Sequence, residues 1–338
     1  MTLTDSSISI IEFLNDDTLM HIINYLEDHN KMSFMRTCSQ LYEFRSKIYY
    51  DDLYYIKNIE HLGFKNKLKI IYVNKFKISN NSVKTNQKIF YTITNDRDII
   101  PKNTTHLIIG KRFNFPKKIN PPESVTHLTF GFYYNKPILD LFPDKKIPST
   151  IKHITFGYCF DQPIENKNIL DGVTNIIFGN NFNQPIESCL PESLTHLTFG
   201  YSFNQCIKQG DIPSSVTHLT FGSRFNQPIK SYLPSSIISL TFGDDFNQYI
   251  NQGDIPPNVK YLTFGWDFNQ PIVDVIPDSV KYLTLGNDFS QDIIGNRNII
   301  PENVTHLIIR EKYKNDCKFL PKKVRNFVFT PYWNLIND

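Results

Sequence analysis

Six of the nine histidines in this 338-residue chain fall into one register, and they are its best candidates for metal or proton chemistry. His106, His127, His153, His196, His218 and His306 each stand directly before an apolar-x-apolar triplet, while Asn175, Ser239, Tyr261, Tyr282 and Asn326 fill the same column elsewhere. Imidazoles stacked at about 5 Å could hold zinc or titrate near neutral pH. A zinc site needs three or four ligands converging on a point, however, whereas this spacing sets them in a line, and no Cys or carboxylate joins them at a distance that closes a tetrahedron. The column therefore predicts an outward ladder with some pH response and no metal. The five cysteines, Cys38, Cys159, Cys189, Cys206 and Cys317, form no C-x-x-C pair and fit a reducing compartment. No nucleophile-base pattern, phosphate cradle or paired-carboxylate motif is present, so the expectation is a protein without catalytic residues or cofactor.

A second group of residues points to binding. Asp244, Asp245, Asp267 and Asp288 recur beside Tyr261, Trp266 and Tyr282. Acids around aromatics suit a basic segment of a partner protein, with Trp266 as anchor; the same residues would also serve as ordinary solvated decoration. Phe132, Tyr133, Tyr158 and Tyr201 make a second, less charged group nearer the amino terminus.

The element that must position these residues is a repeat. From Pro101 onward one unit recurs eleven times at intervals of about 20 to 26 residues, read most clearly in Pro191-Glu-Ser-Leu-Thr-His-Leu-Thr-Phe-Gly-Tyr-Ser-Phe-Asn-Gln-Cys-Ile207. Each unit is too short to bury a core alone, so units must stack, and stacked coils present a long surface for holding another macromolecule. The Leu-x-Phe alternation marks a short strand with one buried face, as in Leu197/Phe199, Leu219/Phe221, Leu240/Phe242 and Leu262/Phe264. Eleven parallel strands would make a sheet roughly 50 Å long. A second aromatic column runs through Phe113, Tyr134, Phe160, Phe182, Phe203, Phe225, Phe246, Phe268, Phe289, Tyr313 and Trp333, past a Gly expected to let the backbone turn. The Asn that follows, as in Asn183 and Asn226, is expected to bond backbone groups of the turn leaving its strand, and the later Pro favours an extended return.

The elements Phe182-Asn-Gln-Pro-Ile186, Phe225-Asn-Gln-Pro-Ile229 and Phe268-Asn-Gln-Pro-Ile272 resemble the FNIP repeat, a short variant of the leucine-rich repeat. The resemblance covers residues 101 to about 336 and implies a leucine-rich-repeat-type parallel β-solenoid; Arg310 in place of Gly, and a last unit without Gly, read as capping.

Residues 8–56 differ in character. Leu19, Ile22, Ile23 and Leu26 follow helical spacing after a potential cap at Asn15 or Asp16; a second helix is expected from about Lys31 to Phe44, and Tyr49 to Ile56 is compatible with a third. The run Leu14-Asn-Asp-Asp-Thr-Leu-Met-His-Ile-Ile-Asn-Tyr-Leu26, followed by Met32-Ser-Phe-Met-Arg-Thr-Cys-Ser-Gln-Leu-Tyr-Glu-Phe44, resembles the F-box, with Asn15 for the family's usual Pro. That resemblance implies docking to a Skp-type adaptor of cullin-RING ligases through Leu14, Leu19, Ile22, Leu26, Met32 and Cys38. A helical cap closing the solenoid is the competing reading. Proteins pairing an F-box with FNIP repeats occur in social amoebae and giant amoeba-infecting viruses.

Residues 57–100 read as a basic linker and cap leading into the solenoid, with Lys65, Lys67, Lys69, Lys75, Lys77, Lys84 and Lys88 among aliphatic residues in irregular strands. A net charge of +3 argues against nucleic acid or an anionic membrane as partner. No secretory signal or apolar run of membrane-spanning length is seen, which gives a cytoplasmic expectation, host cytoplasm if the protein is viral. The expected fold is thus α+β: an F-box-like helical domain over 8–56, the cap, and a solenoid of about eleven FNIP repeats over 101–338. The expected role is a substrate-receptor subunit of an SCF-type ubiquitin ligase holding a target protein on the repeats. A non-enzymatic scaffold or sequestering solenoid, its helices serving only as a cap, is the alternative.

Overall fold

The computed structural model of the chain describes residues 23, 26–35, 50–55, 68–73, 87–94, 98–110, 118–143, 145–164, 170–291, 299–310, 313 and 321–330. The chain divides into two compact units, Met1–Thr92 with Asp98–Leu107, and Ile93–Arg97 with Ile108–Asp338.

In the first unit, helix α1 (Asp28–Met35) starts at an acid that suits the positive end of the helix dipole. Asp28 accepts from Lys31 Nζ at 2.9 Å in a buried ion pair one helical turn apart. The expected first helix, with Leu14, Leu19 and Ile22, lies outside the described residues, as does the expected second helix beyond Met35, with Cys38. Ile23 is buried and Leu26 half-buried. The expected helix over Tyr49–Ile56 is corrected to a strand: β1 (Tyr50–Tyr55) pairs in parallel with β2 (Leu68–Val73), which pairs with β3 (Lys88–Ile93). Three of the six residues are Tyr, which favours strands, and the neighbouring strand supplies hydrogen bonds that a helix of this length would have to make alone. In β3 the alternation is read directly, with Ile89, Tyr91 and Ile93 buried and Lys88 exposed. The expected irregularity is present between β1 and β2, whose register shifts between Tyr50 and Leu53, whereas β2 and β3 pair without a shift.

β4 (His106–Ile109) falls across the division. The second unit is a parallel ladder of β5 (His127–Thr129), β6 (His153–Thr155), β7 (Asn175–Ile177), β8 (His196–Thr198), β9 (His218–Thr220), β10 (Ser239–Thr241), β11 (Tyr261–Thr263), β12 (Tyr282–Thr284), β13 (His306–Arg310) and β14 (Asn326–Thr330). Register is unshifted down the ladder: His196 faces His218, Leu197 faces Leu219 and Thr198 faces Thr220. The coils return through irregular backbone, which includes a 3₁₀ turn at Ile138–Leu141.

The core is two columns of rings. Phe160, Phe182, Phe203, Phe225, Phe246, Phe268 and Phe289 are all 0% exposed, and Phe178, Phe199, Phe221, Phe242 and Phe264 nearly so. Within a coil the two rings lie close, 3.8 Å between the centroids of Phe199 and Phe203; between coils Phe203 and Phe225 lie 6.1 Å apart and near-parallel. Each buried Phe contributes roughly 1.5 to 3 kcal/mol, so one pair per coil offsets only part of that coil's ordering cost and the buried aliphatic residues of the coil must add to it.

The solenoid closes over about nine turns, fewer than the eleven expected. Nine second-column aromatics from Tyr134 to Tyr313 are buried, whereas Phe113 and Trp333 lie outside the described residues. In β14 the inward Phe327 is 37% exposed, so among the described residues the buried column ends before this strand.

Two local expectations are also sharpened. The glycines after the first Phe column do open a turn, Gly179 O accepting from Phe182 N at 3.1 Å, but without positive φ, which among the described residues falls on return-side residues such as Gly172, Gly210 and Gly253. A Cβ on Gly157, Gly179, Gly200, Gly222, Gly243, Gly265 or Gly286 would instead overlap the carbonyl oxygen of the column glycine one coil earlier. Close approach of backbone to backbone is what demands Gly here. The Asn residues likewise work between coils. Asn183 Oδ1 accepts from Asn204 N at 2.9 Å and from Gln205 Nε2 at 3.1 Å, and the pattern repeats through Asn204, Asn226, Asn247 and Asn269.

Candidate functional site

Because Leu and Phe of each strand point inward, the residues before and between them must face outward, and so the sheet displays a His/Tyr column and a Thr column. The imidazoles stack in pairs: His127 on His153 at 4.0 Å and His196 on His218 at 4.3 Å, each pair within 7° of parallel. The Thr one residue earlier holds Nδ1, at 2.8 Å for Thr126–His127 and 2.9 Å for Thr195–His196 and Thr217–His218. Burial lowers the pKa of His153; burial, then the neighbouring charges of His218 and His153, lower that of His196. Asn175 and Ser239 interrupt the run of imidazoles, and among the described residues no group of three His, Cys, Asp or Glu side chains is placed to hold a metal ion. Farther along the column, Tyr261 stacks on Tyr282 at 4.6 Å, and Tyr282 stacks on His306 at 4.2 Å.

The residues just past the column glycines form a separate rim at the other end of the strands. It runs from Phe132 and Tyr133 through Tyr158, Tyr201 and Arg224 to Asp244, Asp245, Trp266, Asp267 and Asp288. Successive rim turns are tied by backbone bonds, as from Asp267 N to Asp244 O and Asp288 N to Trp266 O. The aromatic half is exposed: Phe132 stacks on Tyr158 at 4.7 Å, Tyr133 meets Phe132 edge-on, and the Arg224 guanidinium lies 5.0 Å from the Tyr201 ring centre.

The acidic half brings the four predicted carboxylates together. Partial burial, then Asp245, Asp288 and Asp244, raise the Asp267 pKa. None of the four has an ion-pair partner among the described residues. Trp266 sits among them, half-buried. Tyr261 and Tyr282 do not join this cluster: they sit at the opposite strand end, across the Thr263/Thr284 column. Neither the continuity of the rim nor the pairing of Tyr201 with Arg224 was read from sequence; the signal available was the variability of the two positions after each column glycine.

Of the predicted adaptor-binding residues, Leu26 follows Ile23 through a backbone bond of 3.1 Å, and Met32 lies within α1. Of the cysteines, Cys189 is buried, its thiol pushed up to about 12 chiefly by burial; Cys159 is half-buried and Cys206 exposed. No helix among the described residues is long and apolar enough to cross a membrane.

The FNIP Repeat family model matches residues 122–159, 142–181, 160–202, 203–245, 246–288 and 268–312, an unbroken span of more than half the chain. Among similar proteins from Acanthamoeba polyphaga mimivirus, one named as an F-box and FNIP repeat-containing protein is 35% identical over 126 residues, covering 37% of this chain and 23% of its own length. A second of that name is 36% identical over 107 residues, covering 31% and 35%. One named as an F-box protein is 48% identical over 58 residues, covering 17% and 23%. The matched stretches thus span well under half of these relatives. The crystal structure of CroV588, described as a circular LRR protein, is similar with a TM-score of 0.62 and 36% identity over 79% of this chain and 41% of that one.

Proposed function

The chain belongs to the FNIP repeat family, and on that premise we propose that it is the substrate-receptor subunit of a cullin-RING ubiquitin ligase of the SCF type. The observation that carries this reading is the coexistence in one chain of an F-box-like run over residues 14–44 and a leucine-rich-repeat-type solenoid. Relatives named for both an F-box and FNIP repeats support it. In this reading Leu14, Leu19, Ile22, Leu26, Met32 and Cys38 form or support the surface that docks a Skp-type adaptor, and the solenoid holds a target protein. The chain supplies effective concentration and orientation, and bond-making stays with the ligase's other subunits.

The target-binding surface is assigned to the acidic rim, Asp244, Asp245, Asp267 and Asp288 around Trp266, with Tyr261 and Tyr282 as a second contact line on the sheet face. Four unpaired carboxylates beside a half-buried indole favour a basic segment of the target. The protein would act in the cytoplasm, where adaptor and cullin are available.

Co-purification tests the docking part. The wild-type chain retains the Skp adaptor, and Leu19→Asp with Ile22→Asp abolishes retention while the far-UV spectrum of the solenoid is unchanged; retention by that double variant defeats the assignment. Removal of residues 8–56 should abolish ubiquitylation of the bound target. If ubiquitylation persists, the helices are a cap and the solenoid is a scaffold.

A further inference from the structure

Regular coils make an irregularity informative. Pro191, Pro213, Pro234, Pro256 and Pro277 open successive coils 22, 21, 22 and 21 residues apart, but Pro301 follows Pro277 only after 24. Where the period breaks, the return stretches of three successive coils enclose a groove of about 870 Å³. Its floor includes Ile255, Ile276 and Ile300, each with less than a tenth of its surface exposed, and its walls include Pro257, Pro277 and Pro301. Its lip carries Asp274, Asp278 and Glu302, and Asp278 and Glu302 hold the same place, directly after the opening proline, in neighbouring coils. None of the three carboxylates has an ion-pair partner among the described residues. The groove lies on the return stretches, whereas the rim follows the strands.

We infer that this groove docks an extended segment of a partner protein in which Arg or Lys alternates with branched aliphatic residues. An aliphatic floor under an unpaired acidic lip is complementary to such a side chain set. The alkyl stems of Arg or Lys lie along Ile and Pro while their cationic heads reach the carboxylates, and flanking aliphatic side chains fill the floor. An acidic segment is rejected because its charge would meet three carboxylates that have no cationic partner among the described residues. The volume lies in the range of about 300 to 1,000 Å³ typical of ligand sites, which suits the side chains of a short segment and not a folded domain. The groove is independent of adaptor docking and of the rim, so a partner engaging both groove and rim would gain by effective concentration.

Fluorescence anisotropy on the full chain tests this with a fluorescein-labelled Ile-Arg-Ile-Arg-Ile peptide as probe and Ile-Glu-Ile-Glu-Ile as control. The arginine peptide is expected to bind and the glutamate peptide not. In a chain whose rim is neutralised by Asp245→Asn with Asp267→Asn, so that the probe reports the groove alone, Asp278→Asn with Glu302→Gln, two surface changes that preserve shape, should weaken binding by about tenfold or more, while Glu123→Gln with Glu192→Gln, at the same place in coils away from the groove, leaves it unchanged. A benzophenone on the probe should cross-link to residues 272–278 or 300–302. Equal binding of both peptides, no loss in the groove variant, equal loss in the Glu123/Glu192 variant, or cross-linking elsewhere each overturns the groove. Adaptor retention in the pull-down is unaffected by any of these outcomes, so the two readings fail separately.

Discussion

Strands β5 to β12 and strands β13 and β14 belong to one ladder but end differently. The first eight are three residues long; after each, the first-column Phe or Leu donates to the next coil, as from Phe130 N to Thr155 O, and the chain reaches a glycine pressed against the preceding coil's glycine. In β13 the same position is Arg310, and the ladder continues for five residues, with Arg310 facing Thr330. A missing Cβ lets successive coils turn inward with their backbones in contact, whereas a side chain at that position keeps the strand straight and paired. The glycine column therefore sets strand length, and with it the place where the rim begins.

The contrast between closed coils and the final pairing can be broken in measurable ways. The largest effect should come from the ring columns: Phe203→Ala in a closed coil should cost about 3 to 5 kcal/mol in urea unfolding, while Phe327→Ala, on the exposed last strand, should cost under about 1 kcal/mol. Comparable losses at the two sites would erase the distinction between closed and open turns. Next, Gly222→Ala should destabilise by about 3 kcal/mol because its Cβ overlaps the Gly200 carbonyl, whereas Arg310→Gly should cost only about 0.5 to 1 kcal/mol from strand entropy. A well-tolerated Gly222→Ala would show that the coils can separate, and strand length would need another cause.

A smaller effect is expected from the Asn ladder. Asn204→Ala removes the acceptor for both Asn226 N and Gln227 Nε2, so a loss of about 1 to 2 kcal/mol is expected, together with faster hydrogen exchange of the Asn226 amide. Unchanged exchange there would assign the holding role to the rings alone.

The smallest effect is pH-dependent. His153 and His196 bind protons less readily folded than at their ordinary value of 6.5, so their contribution is fully present above that value and lost as pH falls through the depressed folded pKa values. The Tm should therefore be flat above about pH 7 and decline below about 6.5, with a shallower decline for His153→Gln plus His196→Gln. A decline of equal slope in that variant would place the titration elsewhere, with the carboxylates.

Much of this was legible before any coordinates. The 20 to 26 residue period, the Leu-x-Phe alternation and the second aromatic column contain the fold of the second unit, because each coil's apolar residues are local and identical and can be buried only by stacking. The four Asp residues of the rim were likewise visible as a set, since equal places in successive coils become neighbours. Tyr261 and Tyr282 were grouped with them wrongly, because sequence proximity does not say at which end of a strand a residue sits. The stretch Tyr50–Tyr55 reads as a helix or a strand on residue type alone; pairing with Leu68–Val73, eighteen residues on in register at its first pair, decides it.

The repeat encodes which side chains are buried and which columns form, because a two-residue alternation and a short period are properties of the chain itself. How tightly one coil lies against the next, why glycine is required there, which coil's amide an Asn oxygen accepts from and where return stretches enclose a groove are relations between coils. They arise from distances across the stack, and those distances exist only once the chain has folded.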